Sequence, residues 1–166
     1  MIQTARLSFR PLSLSDLDDL YTKIYSDAET MKYIRDGKAK TIIETRKSLE
    51  TLIEHYKKYG FGFMAAIDKS NNSFVGICGL KYLDATGEIE VGFLFEKKYW
   101  KKKYATESAK IFTSYAFEEL NIKKVVAIAK PGNEASRKVL EKCGFQFQDI
   151  RSFYEIEFAY YSIYTY

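Results

Sequence analysis

EIEVGFLFEKKYWKKKYATESA, residues 88 to 109, decides the fold. Its first part is nearly continuously apolar from Ile89 to Phe95, apart from Glu90, the pattern of a strand covered on both faces near the centre of a sheet. Gly92 inside it marks a bulge or a close backbone approach. From Tyr104 the period becomes helical, with Ala105, Ala109, Phe112, Ala116 and Leu120 on one face. KKVVAIAK (123–130) then reads as a second buried strand. A helix between two buried strands implies a right-handed crossover and a locally parallel pair.

The pattern extends outward on both sides. Upstream, FGFMAAID (61–68) and FVGICGLKYL (74–83) are strands joined by the turn KSNNS, and DATG turns the chain into the strand already described. TARLSFR (4–10) alternates as a first strand. Helical periods follow over 11–26, with Leu17, Leu20, Tyr21, Ile24 and Tyr25 on one face, and over 27–34. A longer helix spans Thr41 to Tyr59, with Ile42, Leu49, Leu52, Ile53 and Tyr56 as its apolar stripe and Gly60 as its stop. Downstream, PGNEASRKVLEKCG is a helix with Asn133 as N-cap and Gly144 as terminator. FQFQDIRSFY (145–154) and EIEFAYYSIYTY (155–166) close the chain as a hairpin. No linker or internal repeat interrupts this order, so residues 1–166 are expected to form one mixed α/β (α+β) domain. The final strand is apolar and aromatic to its end. Read as an unprotected edge, it predicts a homodimer.

Composition excludes several classes. A hydrophobic fraction of 46% and an aromatic fraction of 16% exclude disorder. A formal net charge of +4 suits a small anionic ligand. KKKY (101–104) with surface aromatics is the motif of a nucleic-acid binder, but no second basic stripe accompanies it, so nucleic acid is not expected as a partner. Cys78 and Cys143 lack metal-ligand spacing, and His55 is the lone histidine. This leaves no zinc site and no Ser-His-Asp machinery, and no metal is expected. His55 reads as structural. The N-terminus has no long apolar run, so neither a leader nor a span is expected and the location is expected to be cytoplasmic.

Four stretches together resemble the GNAT N-acetyltransferase superfamily, most closely its ribosomal-protein alanine/serine N-acetyltransferase branch. They are TARLSFRPLSLSDLDDL, VGICGL, EIEVGFLFEKKYWKKKYATESA and NEASRKVLEKCGF, and they cover essentially the whole chain. The resemblance implies a central twisted, mostly antiparallel sheet that splays at its parallel pair, with helices on both faces. It implies direct transfer of an acetyl group from acetyl-coenzyme A to an amine, on a protein N-terminus or a small molecule. The pantetheine arm would lie between VGFLFE and KVVAIA and pair with exposed backbone groups. Coenzyme contacts are thereby expected at Phe93, Leu94 and Phe95, along Trp100, Lys101, Lys102, Lys103, Tyr104, Ala105 and Thr106, and at Asn133 and Ser136.

The sequence departs from the family at two places. The family's phosphate loop is glycine-rich, whereas both usual glycines are lysines here, at 101 and 103. Lysine must keep φ negative there or accept strain. The side chains then point outward while the amides bind phosphate, or the ammonium groups bind it, or affinity is lost. Ala105, Thr106, Glu107 and NEAS are retained, which favours a working loop. The second departure is Leu140, which stands where many members place a tyrosine that protonates the leaving thiolate. Ser136 and Asn133 are the alternatives that match the branch.

For the base that deprotonates the amine, alternation puts Glu88 and Glu90 on one face and leaves both open. The resemblance singles out Glu90, whose competing role is an exposed strand glutamate paired with a lysine. Carbonyl polarisation falls to the backbone N–H of Leu94 or Phe95. Cys143 reads as a small packing residue and not as an acetylated nucleophile. The acceptor is expected between the N-terminal helices and the last hairpin, near Tyr21, Tyr25, Tyr33, Phe153, Tyr154 and Tyr160. The two departures also motivate a second reading, a non-catalytic coenzyme A binding or sensing module of the same fold.

Overall fold

A computed structural model describes residues 1–165. Its seven-stranded sheet has the order β1-β2-β3-β4-β5-β7-β6. The strands are β1 (Leu7–Pro11), β2 (Phe63–Asp68), β3 (Ser73–Leu83), β4 (Glu88–Phe95), β5 (Lys124–Ala129), β6 (Gln146–Phe153) and β7 (Ile156–Tyr164). The longer helices are α3 (Ile42–Tyr59), α4 (Tyr104–Glu118) and α5 (Glu134–Lys142). Before them come the single turns α1 (Leu17–Leu20) and α2 (Ala28–Met31), and α1 runs on into a π-helical turn, Tyr21–Tyr25.

Local chemistry explains the element ends. Thr41 caps α3 by accepting from the amide of Glu44, whose carboxylate accepts from the amide of Thr41 in return. Gly60 ends the same helix at φ 74°, in the left-handed region glycine enters freely. Asn133 caps α5 through the amide of Ser136. Arg10 on β1 forks onto the buried carboxylate of Asp16, at 2.6 and 2.9 Å, and so fastens the first helical segment to the sheet edge.

The sheet separates two apolar layers. Met64, Ala66, Val75, Cys78, Leu80 and Val91 pack with Phe112 and Ala116 of α4 and Leu140 of α5. Ala65, Ile67, Phe74 and Ile77 pack on the opposite face with Leu20, Ile24, Met31 and Leu49. The alternation along β2 thus serves both faces, as the period of two requires. Helices cover both sides, as the resemblance implied. Among the described residues no helix is long and apolar enough to cross a membrane.

β4 is the central strand, and the α4 crossover makes β4–β5 the parallel pair. One expectation is overturned. β7 is not an edge: it is paired on one side with β5 over Lys124–Ala129 and on the other with β6. Its apolar run is explained by Phe158, Ala159, Tyr160 and Tyr161, all buried between neighbours. The edge at this end of the sheet is β6, whose side chains are mostly exposed. The argument for a homodimer therefore loses its premise. Tyr166, the last residue of that run, lies outside the described residues.

Candidate active site

The site begins where β4 and β5 part. Glu90 pairs with Val126, the one ladder pair between the two strands among the described residues. Past Glu90, the backbone groups of β4 that face β5 have no ladder partner. A cleft of about 400 Å³ opens there, walled by Val91, Gly92, Phe93 and Leu94 on one side and Ala127, Ile128 and Ala129 on the other. Gly92 is a close approach and not a bulge: the β3–β4 register runs unbroken, and a Cβ at 92 would lie 2.4 Å from the Phe63 ring.

Glu90 is in the cleft wall and only 7% exposed. Its Oε2 is 3.6 Å from Nζ of Lys81 and has no hydrogen-bond partner among the described residues. Burial pushes its carboxyl above the usual range, against the opposing pull of Lys81 and Arg35. Glu88 is different. It accepts from Nζ of Lys124 at 2.6 Å and from the hydroxyl of Tyr160 at 2.7 Å, and it lies outside the cleft lining. Its burial raises the carboxyl, but these hydrogen bonds outweigh burial and leave it below the ordinary value. Of the two glutamates, only Glu90 lines the cleft, and its Oε2 is buried without a hydrogen-bond partner among the described residues.

The second element is the loop before α4. Lys101 and Lys103 have φ of 60° and 66°, so both lysines adopt the left-handed backbone that glycine enters most readily. Their side chains are exposed. The amides of residues 101 to 106 donate to no carbonyl or side chain among the described residues. Two anchors hold the loop. Nε1 of Trp100 donates to the carbonyl of Phe95 at 2.8 Å. Arg6 donates to the carbonyl of Lys102 at 2.7 Å, pairs with Glu107 at 2.9 Å and lies over the ring of Tyr104. Unpaired amides at a helix N-terminus, in a loop bent by left-handed residues, are donors of the kind that suit an anion.

The remaining candidates divide. Phe93, Leu94, Asn133 and Ser136 line the cleft, as does Leu140, the residue in place of the expected tyrosine. Phe95 points into the core, and its carbonyl is taken by Trp100. The Tyr104 hydroxyl donates to Asp68 at 3.1 Å, so its side chain is a core group and only its amide faces the loop. Ala105 and Thr106 contribute the next helix-terminal amides. Nδ2 of Asn133 donates to Oγ of Ser136 at 3.0 Å, which leaves the serine's own proton free. Cys143 donates weakly to the carbonyl of Thr106 outside the cleft lining.

Of the six aromatics expected around the acceptor, Tyr25, Tyr33 and Tyr154 line the cleft, whereas Tyr21, Phe153 and Tyr160 do not. Sequence reasoning missed Arg35, Lys40, Lys81 and Tyr82 in the same wall. Lys81 had a signal: a turn over 84–87 pairs Leu83 with Glu88 and, by the same register, Lys81 with Glu90. Arg35 and Lys40 had none. His55 also touches the cleft, but both ring nitrogens are engaged, Nδ1 with the carbonyl of Phe61 at 3.1 Å and Nε2 with the amide of Tyr82 at 3.2 Å. That is the structural histidine expected from the sequence.

The acetyltransferase (GNAT) domain model matches residues 6–146. The uncharacterized N-acetyltransferase p20 of Bacillus licheniformis is 26% identical over 155 residues, covering 93% of this chain and 86% of that protein. The crystal structure of an acetyltransferase (GNAT family) from Bacillus anthracis superposes with a TM-score of 0.84 at 25% identity, over 98% of this chain and 97% of that one. A ribosomal L7/L12 alpha-N-protein acetyltransferase, RimL, solved in complex with coenzyme A, superposes at 0.82 over 98% and 97% of the two chains. At 13% identity this is a likeness of fold.

Proposed function

The chain belongs to the acetyltransferase (GNAT) domain family and is an N-acetyltransferase, and from that premise we propose that it moves the acetyl group of acetyl-coenzyme A directly to a primary amine, on a small molecule or a protein N-terminus. Glu90 carries the reading. It is a buried carboxylate with an unpartnered oxygen, set where two strands part around a cleft. Glu88, by contrast, accepts from Lys124 and Tyr160 and lies outside the cleft lining.

Glu90 takes the proton of the incoming ammonium, directly or through water, and leaves a neutral nucleophile. Burial suits it to that role, because a carboxyl raised toward working pH accepts a proton more readily. The unpaired amides of β4 beyond Gly92 face the place where charge develops on the thioester oxygen. One such donor is worth roughly 3 kcal/mol in acyl transfer. The amides of 101–106 would hold the coenzyme's pyrophosphate, and Asn133 its pantetheine arm. The bound thioester supplies the activated acetyl group. Ser136, with its proton free, stands in for the tyrosine that Leu140 replaces.

The test has two steps. Acetyl-coenzyme A should raise the melting temperature, since a ligand bound only by the folded state stabilises it by mass action. Free thiol should then appear with an amine panel. Stabilisation without thiol release from any amine would favour the non-catalytic coenzyme A module, the reading that the lysine-substituted loop and Leu140 motivated.

A further inference from the structure

The cleft lining carries charges of both signs. Glu90 and Asp84 belong to it, with Lys81 beside Glu90. Arg35 and Lys40 belong to it as well, on the segment between α2 and α3. Neither of these two cations has a carboxylate within ion-pair distance among the described residues. The acids near Lys40 act on it from beyond ion-pair distance while accepting from backbone: Asp36 from the amide of Lys38 at 3.1 Å, and Glu44 from the amide of Thr41 at 2.7 Å.

Both cations are nevertheless held in place. Nζ of Lys40 reaches Oγ of Ser48 at 2.5 Å and lies 4.8 Å from the centre of the Tyr25 ring, and its amide donates to the carbonyl of Tyr25 at 2.7 Å. The Arg35 guanidinium stacks at 4.4 Å on Tyr154, the first residue of the two-residue turn between β6 and β7. That turn, Tyr154–Glu155, has φ of 55° and 60°, and Arg35 itself has φ of 48°. Two consecutive left-handed residues make a type I′ turn, which ordinarily selects Asn-Gly. Three non-glycine residues therefore keep an unfavourable backbone where an arginine meets a tyrosine across the mouth of the cleft, and such strain concentrates at binding sites. Stacking fixes the guanidinium plane and leaves its donors free.

We propose that the acceptor amine carries an anionic group, a carboxylate or a phosphate, which Arg35 and Lys40 receive while the amine meets Glu90. The inference rests on the acetyl-transfer reading and narrows it. A zwitterion would set its ammonium against the carboxylates and its anion against the cations that line the same cleft. Lys40 is half-buried, and burial lowers its pKa, with Arg35 adding to that effect. An anion placed between the two relieves the repulsion.

Matched amines test this: β-alanine against β-alaninamide, and O-phosphoethanolamine against ethanolamine, with kcat/KM expressed per neutral amine. The expected result is a preference of about tenfold or more for the anionic member of at least one pair, as charge-assisted contacts of this kind provide. Which pair shows it separates carboxylate from phosphate. Arg35→Gln and Lys40→Gln should each bring the ratio toward one, and Arg35→Lys should recover part of it. Melting curves with acetyl-coenzyme A show whether each variant is folded. Equal or faster transfer to the neutral member of both pairs overturns the inference and leaves acetyl transfer standing. An anionic preference unchanged in both Gln variants also overturns it. Coenzyme binding without transfer to any amine overturns both readings.

Discussion

Nζ of Lys81 lies 3.6 Å from Oε2 of Glu90, directly across the β3–β4 ladder, and that oxygen has no hydrogen bond among the described residues. The lysine is close enough to favour the charged carboxylate and too far to satisfy it. Glu90 is thus held between burial, which resists ionisation, and two cations, Lys81 and Arg35, which assist it.

Glu90→Gln should lower kcat by about a hundredfold or more, the usual range for loss of a general base, while calorimetry finds coenzyme A affinity nearly unchanged. Glu88→Gln should act in the opposite way. It unsettles Lys124 and Tyr160 and lowers the melting temperature, with little effect on turnover. A silent Glu90→Gln beside a damaging Glu88→Gln would show the base has been misassigned.

Lys81→Met removes one cation that favours ionised Glu90. The carboxyl then titrates at a higher pH than in the parent, so the acidic limb of the kcat/KM profile should move to higher pH. Glu90 is protonated below its pKa and inactive as a base, so the variant should lose most activity at the low end of the profile and least at high pH. A limb that stays in place would mean that Lys81 does not act on the titrating group.

Lys101→Gly with Lys103→Gly should stabilise the protein by up to about 1 kcal/mol per site, because glycine enters the left-handed region without the Cβ penalty, less its own greater chain entropy. Coenzyme A binding should persist or tighten, since the donors are amides. Glutamate at 101, 102 and 103 together should weaken binding strongly through charge repulsion. Titration at two salt concentrations measures both. Complete loss of affinity in the glycine variant would make the lysine side chains the phosphate ligands.

His55 gives a pH signature of stability. Burial lowers its pKa below 6.5, and Nε2 must stay unprotonated to accept from Tyr82. The unfolded chain therefore binds the proton more readily. Stability should be fully present above about pH 6.5 and fall as pH drops through the lower folded value. In His55→Gln this part of the pH dependence should vanish; its persistence would assign it to another group.

What the sequence by itself determined is local. The buried run of β4, the change to a helical period at Tyr104, the cap at Asn133 and the stop at Gly60 are all written in neighbouring residues, and the α4 crossover makes the parallel pair follow from handedness. Tertiary structure decided the rest, because it depends on partners distant in the chain. Periodicity reports that β7 is apolar but not that β5 and β6 flank it, so an interior strand read as an edge. Glu88 and Glu90 share a face, and only Lys124 and Tyr160, 36 and 72 residues from Glu88, satisfy one and leave the other open. Lysines at 101 and 103 gave no hint of left-handed backbone. The loop is held there by contacts that local sequence does not encode, among them Arg6, 96 residues from Lys102, whose clasp on that carbonyl helps offset the strain. The meeting of Arg35 with Tyr154 is of the same kind: two loops, 119 positions apart, are brought together only when the hairpin docks beside β5.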